Sequence, residues 1–84
     1  WDQKWRIVIF DVPEKQKKLR NALRSHLQQL GFIELQKSAF VHPFKCTDEV
    51  EFIVEFYDAR PYVRFIEAQS IDNELHLKKK FNLL

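Results

Sequence analysis

Apolar and polar positions along the chain follow two rhythms, and their order predicts the elements. Residues 6–12 read Arg-Ile-Val-Ile-Phe-Asp-Val, a β-branched and aromatic run with no breaker before Pro13. Such near-continuous apolarity suits a central strand covered on at least one face. Pro13 and Glu14 then mark a helix entrance, because Pro fits a first turn that has no use for its missing N–H, and Glu complements the positive helix end. Leu19, Leu23, Leu27 and Leu30 follow at helical spacing with Ala22 alongside, and Gly31 stands where a helix C′ residue belongs.

Residues 32–44 are strand-like, but the apolar members change parity around Gln36 to Ser38. A parity change in strand-prone sequence implies a bulge or tight bend, so the stretch is one kinked strand or two short ones. Next, Thr47 and Asp48 offer N-cap oxygens, and Asp48 with Glu51 has capping-box spacing. Val50, Ile53, Val54 and Tyr57 form a second helical stripe, widened by Phe52 and Phe56, that ends near Asp58. Residues 62–68 read as a strand. The last segment starts at Asp72, an N-cap residue, and predicts a short helix with Leu75 and Phe81 facing inward; a strand from Leu75 to Leu77 is the competing reading.

With the bent stretch taken as two strands, the order is β-α-β-β-α-β. This is an α+β fold of ferredoxin-like type, an antiparallel sheet with two helices on one face plus a short C-terminal element. The other sheet face then needs a cover: a second protomer, the terminal segment, or single-stranded nucleic acid.

At 84 residues the chain makes one small domain, residues 1–84, which excludes a multidomain enzyme, and 45% hydrophobic residues exclude a disordered chain. A core of this size is marginal, so self-association or a flanking domain is expected. The single Cys46 leaves no internal disulfide and points to a reducing, cytoplasmic setting. No apolar run reaches membrane-spanning length. The absence of Met is expected of a segment cut from a longer chain.

The formal net charge of +2 conceals an asymmetry. Residues 14–30 sum to +4, with Lys15, Lys17, Lys18, Arg20 and Arg24 against Glu14 alone. Residues 45–60 sum to −3, with Asp48, Glu49, Glu51, Glu55 and Asp58 against Lys45 and Arg60. The basic segment suits contact with a nucleic-acid backbone through those five side chains, although charged, solvated helix faces are also ordinary on folded domains.

Asp11 is the most informative carboxylate, because it ends the first strand just before a helix start. It can cap that turn, or it can hold a divalent metal such as Mg²⁺; Mg²⁺ generally takes more than one protein oxygen, so a dimer mate would have to supply the second. His42 and Cys46 approach metal spacing but fall short of a zinc ligand set, and nothing marks Cys46 as an activated nucleophile. A chain with one Gly has no phosphate-cradling loop. Trp1, Trp5, Phe10, Phe32, Phe40 and Phe44 are better used for packing than for base stacking.

The runs Ile7-Val8-Ile9-Phe10-Asp11-Val12-Pro13-Glu14, Gly31-Phe32 and Leu35-Gln36-Lys37-Ser38-Ala39-Phe40 resemble the small CRISPR-associated endonuclease of the spacer-acquisition pair, the Cas-two family. The opening Trp1-Asp2-Gln3-Lys4-Trp5-Arg6, the run Val41-His42-Pro43-Phe44 and the stretch Arg60-Pro61-Tyr62-Val63 bring it closer to the central Cas-two-like domain of PaaX-type transcriptional regulators. That resemblance implies a homodimeric core domain of a bacterial regulator, acting on DNA through an N-terminal winged helix-turn-helix outside this sequence. It also implies that Gln36, Ser38 and Phe40 lie near the dimer contact. The nuclease branch implies instead a Mg²⁺-dependent endonuclease of DNA or RNA, or a partner of the CRISPR integrase, with Asp11 as catalytic and metal-binding residue opposite its symmetry mate. A toxin-type ribonuclease on the same fold is the third reading.

Overall fold

The apolar run after Lys4 becomes an inner strand of a sheet. In the computed structural model, which describes residues 1–84, strands β1 (Trp5–Phe10), β2 (Ile33–Gln36), β3 (Ala39–His42) and β4 (Val63–Ala68) form one sheet in the order β2-β3-β1-β4. Helix α1 (Lys17–Gln29) joins β1 to β2, α2 (Thr47–Phe56) joins β3 to β4, and α3 (Glu74–Lys80) follows β4. All pairings are antiparallel, with Ile7 opposite Val41 on one side and Ile66 on the other. The chain is therefore α+β with the ferredoxin-like element order, and its terminal element is the helix rather than the strand.

The parity change at Gln36 to Ser38 has its cause in the β2–β3 hairpin, where the register shifts between Glu34 and Gln36. Pro13 precedes a short 3-10 turn, Glu14–Gln16, so α1 begins at Lys17, later than the entrance read from Pro13.

All three α-helices end alike. The N–H groups of Gly31, Asp58 and Asn82 donate to the carbonyls of Gln28, Glu55 and Lys79, and those of Phe32, Ala59 and Leu83 reach one residue further back, to Leu27, Val54 and Lys78. This double closure satisfies carbonyls that a helix end otherwise leaves open, and it needs a left-handed residue at C′. Gly31 (φ 97°), Asp58 (φ 52°) and Asn82 (φ 60°) supply it.

Helix starts differ from expectation. Residue Cys46 is the N-cap of α2 and makes no side-chain cap, so Asp48 sits inside the first turn and the Asp48–Glu51 capping box does not form. Glu51 instead accepts from Arg60 at 2.7 Å. Asn73, not Asp72, is the N-cap of α3.

Even-numbered residues of β1 face the two long helices. Val8, Phe10, Phe40, Leu23, Leu27, Val50, Ile53 and Val54 form the main core there, with Phe10 and Phe40 stacked at 5.7 Å. Each such side chain contributes about 1.5–3 kcal/mol by leaving water. Phe52 and Phe56 do not widen this stripe: at 3.6 residues per turn they fall on the far side of α2 from Val50, Ile53, Val54 and Tyr57, and they are 63% and 67% exposed.

Odd-numbered residues face the opposite side, where α3 covers part of the sheet through a second cluster of Trp5, Val41 and Leu77. Leu75 is 62% exposed and Leu77 takes the inward place. Leu77 and Phe81 share one face at four-residue spacing, and Leu75, two residues before Leu77, falls on the other side of the helix. The helix is too short to cover the whole face, and Ile9 and Ile66 remain 40% and 39% exposed.

Candidate functional site

Asp11 follows the last residue of β1. Its backbone N–H donates to the Tyr62 carbonyl at 2.8 Å, which fixes the strand end, while the residue as a whole is exposed. No three His, Cys, Asp or Glu side chains gather anywhere in the chain, and the neighbouring Glu14 leans toward Arg20 at 3.5 Å. One chain thus offers a hard cation a single carboxylate at this position, fewer protein oxygens than Mg²⁺ generally takes. The donor set does not amount to a Mg²⁺ site within one chain.

The basic segment divides in two. Lys15, Lys17 and Lys18 are exposed along the 3-10 turn and the first turn of α1. Arg20 is partly buried in its loose pair with Glu14. Arg24 is committed to the fold: it donates to Glu34 Oε1 and to the Lys37 carbonyl, both at 2.7 Å, and its guanidinium lies 5.7 Å from the Phe40 ring centre.

Of the segment that the resemblance puts near a dimer contact, Gln36 is exposed at the end of β2. Ser38 is half-buried in the hairpin turn, where its carbonyl accepts the Phe10 N–H at 3.0 Å. Phe40 is 0% exposed and packs on the helix side of the sheet, so its ring is a core residue. Gln36 lies instead on the rim of a concavity of about 360 Å³ on the opposite side, floored by Ile7, Ile9, Leu35 and Ala39 and closed by residues 71–73.

Sequence reasoning missed the polar cluster at the other end of β1. Arg6 is 2% exposed. Its guanidinium donates to both Asp2 carboxylate oxygens, at 2.6 and 2.8 Å, and to the carbonyls of Pro43 (2.9 Å) and Lys4 (3.1 Å), with Glu67 at 3.4 Å. The hydrogen bonds to Arg6 hold the Asp2 carboxyl well below the usual carboxylate range. A cation opening an otherwise apolar run, with an acid four residues earlier, was the available signal. His42 lies among Phe32, Phe44 and Phe81, with ring centres 5.0, 5.9 and 5.9 Å away, and its pKa is lowered chiefly by burial. Burial likewise pushes the Cys46 thiol up to about 11, which keeps it protonated at neutral pH.

These features define a class: a ferredoxin-like α+β domain with a half-covered sheet, a lysine-bearing helix on its other side and a lone strand-end aspartate. A family model described as the PaaX protein central Cas2-like domain matches residues 1–80, and the chain belongs to that family. No curated protein and no solved structure matches it.

Proposed function

We propose that this domain is the dimerising core of a PaaX-like transcriptional regulator, holding two DNA-contacting domains of the parent protein at a fixed spacing. The observation that carries the reading is the open half of the sheet. Ile9 and Ile66 sit diagonally across adjacent strands on one face and are 40% and 39% exposed, beside the concavity that Ile7 and Leu35 help to line. An apolar strip on a sheet is self-complementary under a two-fold axis, which is what an isologous contact requires. Membership of the PaaX family supports the same reading. Pairing through this face would leave Lys15, Lys17 and Lys18 outward on both copies, available to phosphate, while paired DNA-contacting domains would match a two-fold operator.

Sedimentation of the chain and of its Ile9→Asp and Ile66→Asp variants tests the reading. A dimer that becomes a folded monomer in either variant is the expected result, together with weaker operator binding when the same change is made in the parent protein. A wild-type chain that sediments as a monomer overturns it.

Asp11 gives the nuclease reading one specific support. It continues the odd-numbered series of Ile7 and Ile9, so in strand period it belongs to the face proposed to pair, where a mate could add a second carboxylate. Cleavage of DNA and RNA with and without Mg²⁺, compared between wild type and Asp11→Ala, tests it: equal residual cleavage removes Asp11 from any chemistry.

A further inference from the structure

Helix α2 presents a surface that neither the core nor the proposed dimer contact uses. Phe52 and Phe56 are 63% and 67% exposed and stack on each other with centres 5.9 Å apart and planes 20° from parallel. Phe56 also meets the Tyr57 ring edge-on at 4.9 Å. Beside Phe52 a groove of about 290 Å³ opens between α1 and α2, floored by Leu30 and Ile53, with Asp48 and Glu49 on its wall. Two adjacent phenylalanines in water beside an apolar groove are an uncommon surface for a small domain, and such patches rimmed by polar residues mark contacts.

The charge around the patch selects the partner. Four of the ten residues of α2 are acidic, Asp48, Glu49, Glu51 and Glu55, and none is basic. Glu51 is neutralised by Arg60 at 2.7 Å. Asp48, Glu49 and Glu55 have no ion-pair partner within the chain. Asp48, Glu49 and Glu55 stand four and three residues before and three after Phe52, which places them around its ring on the helix surface. Phosphate would be repelled here. An apolar groove framed by carboxylates fits a helix with aliphatic side chains along one face and lysines or arginines flanking them, the helix-in-groove mode of recognition. The patch lies on the opposite side of the sheet from Ile9 and Ile66, so it stays open however copies pair through that face.

We propose that the α2 face, centred on Phe52 and Phe56, is a docking site for a basic amphipathic helix of a partner protein, with aliphatic anchors entering the groove beside Phe52 and cations meeting Asp48, Glu49 and Glu55.

The probes are three fluorescein-labelled synthetic peptides titrated against the 84-residue chain: a lysine/leucine helix with leucines on one face, the same composition scrambled to break that face, and a version with glutamate for lysine. The first peptide is expected to bind, and the scrambled and acidic peptides to bind at least about tenfold more weakly. The Phe52→Ser/Phe56→Ser variant, whose altered side chains lie outside the core, is expected to keep its far-ultraviolet circular dichroism and to lose about tenfold or more in affinity. Asp48→Asn/Glu49→Gln is expected to weaken binding and reduce its salt dependence. Equal binding of the ordered and scrambled peptides, or a Phe52→Ser/Phe56→Ser variant that binds as wild type, overturns the proposal. Loss of self-association in that variant also overturns it, because the occupant would then be a second copy of the chain.

Discussion

Arg24 donates to Glu34 at 2.7 Å, which ties the middle of α1 to the edge strand β2. The same guanidinium donates to the Lys37 carbonyl in the following turn. One side chain of a basic helix is thereby spent on holding the β2–β3 hairpin, and this separates two roles that charge counting merges.

Arg24→Gln is expected to cost about 1 kcal/mol of stability, since the pair is only partly shielded from water and the carbonyl bond is also lost. On the regulator function proposed above, its effect on DNA binding is expected to be small. The triple variant Lys15→Gln/Lys17→Gln/Lys18→Gln should show the reverse, with an unchanged denaturation midpoint and a log–log salt slope of binding reduced by about 3 if all three lysines contact phosphates. Urea unfolding alongside salt-dependent anisotropy distinguishes them; an undiminished slope in the triple variant removes these three lysines from the DNA contact.

The C′ positions predict opposite responses to one kind of exchange. Asp58 adopts φ 52° at the C′ position of α2, where its negative charge also faces the negative helix end. Asp58→Gly relieves both, and a gain of about 0.5–1 kcal/mol is expected. Gly31→Ala goes the other way. At φ 97° an added Cβ is strained and would also lie 3.2 Å from His42 Nε2, closer than it comfortably packs. A loss of about 1–2 kcal/mol is expected. Thermal unfolding of the two variants should move the midpoint up for the first and down for the second.

What the sequence disclosed, and what it withheld, follows from the range of the interactions concerned. The run around Val8, the Leu19–Leu23–Leu27 stripe, Gly31 and the parity change near Lys37 are local signals, and each produced the element it implied. Phe52 and Phe56 were counted with the inward stripe of α2, and Leu75 with Phe81, against their own spacing, since at 3.6 residues per turn each falls outside the face that its helix buries. Arg6 was read as a strand residue, since its partners Pro43 and Glu67 lie far along the chain and only the fold brings them together. The distinction between Arg24 and Lys17 was hidden for the same reason: both are basic residues on one helix until β2 packs beside the first. For the candidate surfaces, the Asp11 position and the need for a second cover on the sheet were legible; the depth at which Phe40 is buried was not.

Arg6 is expected to be among the most sensitive polar positions. Its removal leaves the Pro43 carbonyl without its donor in a buried setting and two carboxylates without their cation. Arg6→Ala should therefore cost about 3 kcal/mol. Arg6→Lys keeps the charge but cannot reproduce the two-point contact with Asp2, and should fall between Arg6→Ala and wild type. Asp2→Asn should cost less than Arg6→Ala, because Asp2 lies at the surface and the guanidinium keeps its carbonyl partners. Urea midpoints measured side by side check the order; an Arg6→Ala variant as stable as Asp2→Asn would show that the cluster adds little beyond packing.

Acid should weaken the domain over two pH windows, and the groups responsible can be named. His42 Nδ1 accepts the Phe44 N–H at 3.1 Å, and burial among aromatic rings lowers its pKa from the ordinary 6.5. Between the ordinary and the lowered value the unfolded chain binds a proton that the folded chain refuses, so stability falls as pH drops below about 6.5. Asp2, depressed by Arg6, and Glu74, lowered by the 2.9 Å hydrogen bond from the Trp5 indole, act in a second window. Their stabilisation is complete above the unfolded carboxylate range near pH 4 and is lost as pH falls toward their folded values, because again the unfolded chain takes up protons first. The melting temperature followed from neutral to strongly acidic pH should therefore decline in two limbs. His42→Gln is expected to flatten the upper limb and leave the lower one, whereas Asp2→Asn should flatten the lower limb alone. An upper limb that survives His42→Gln would assign it to a different group and remove the half-buried imidazole from the acid response.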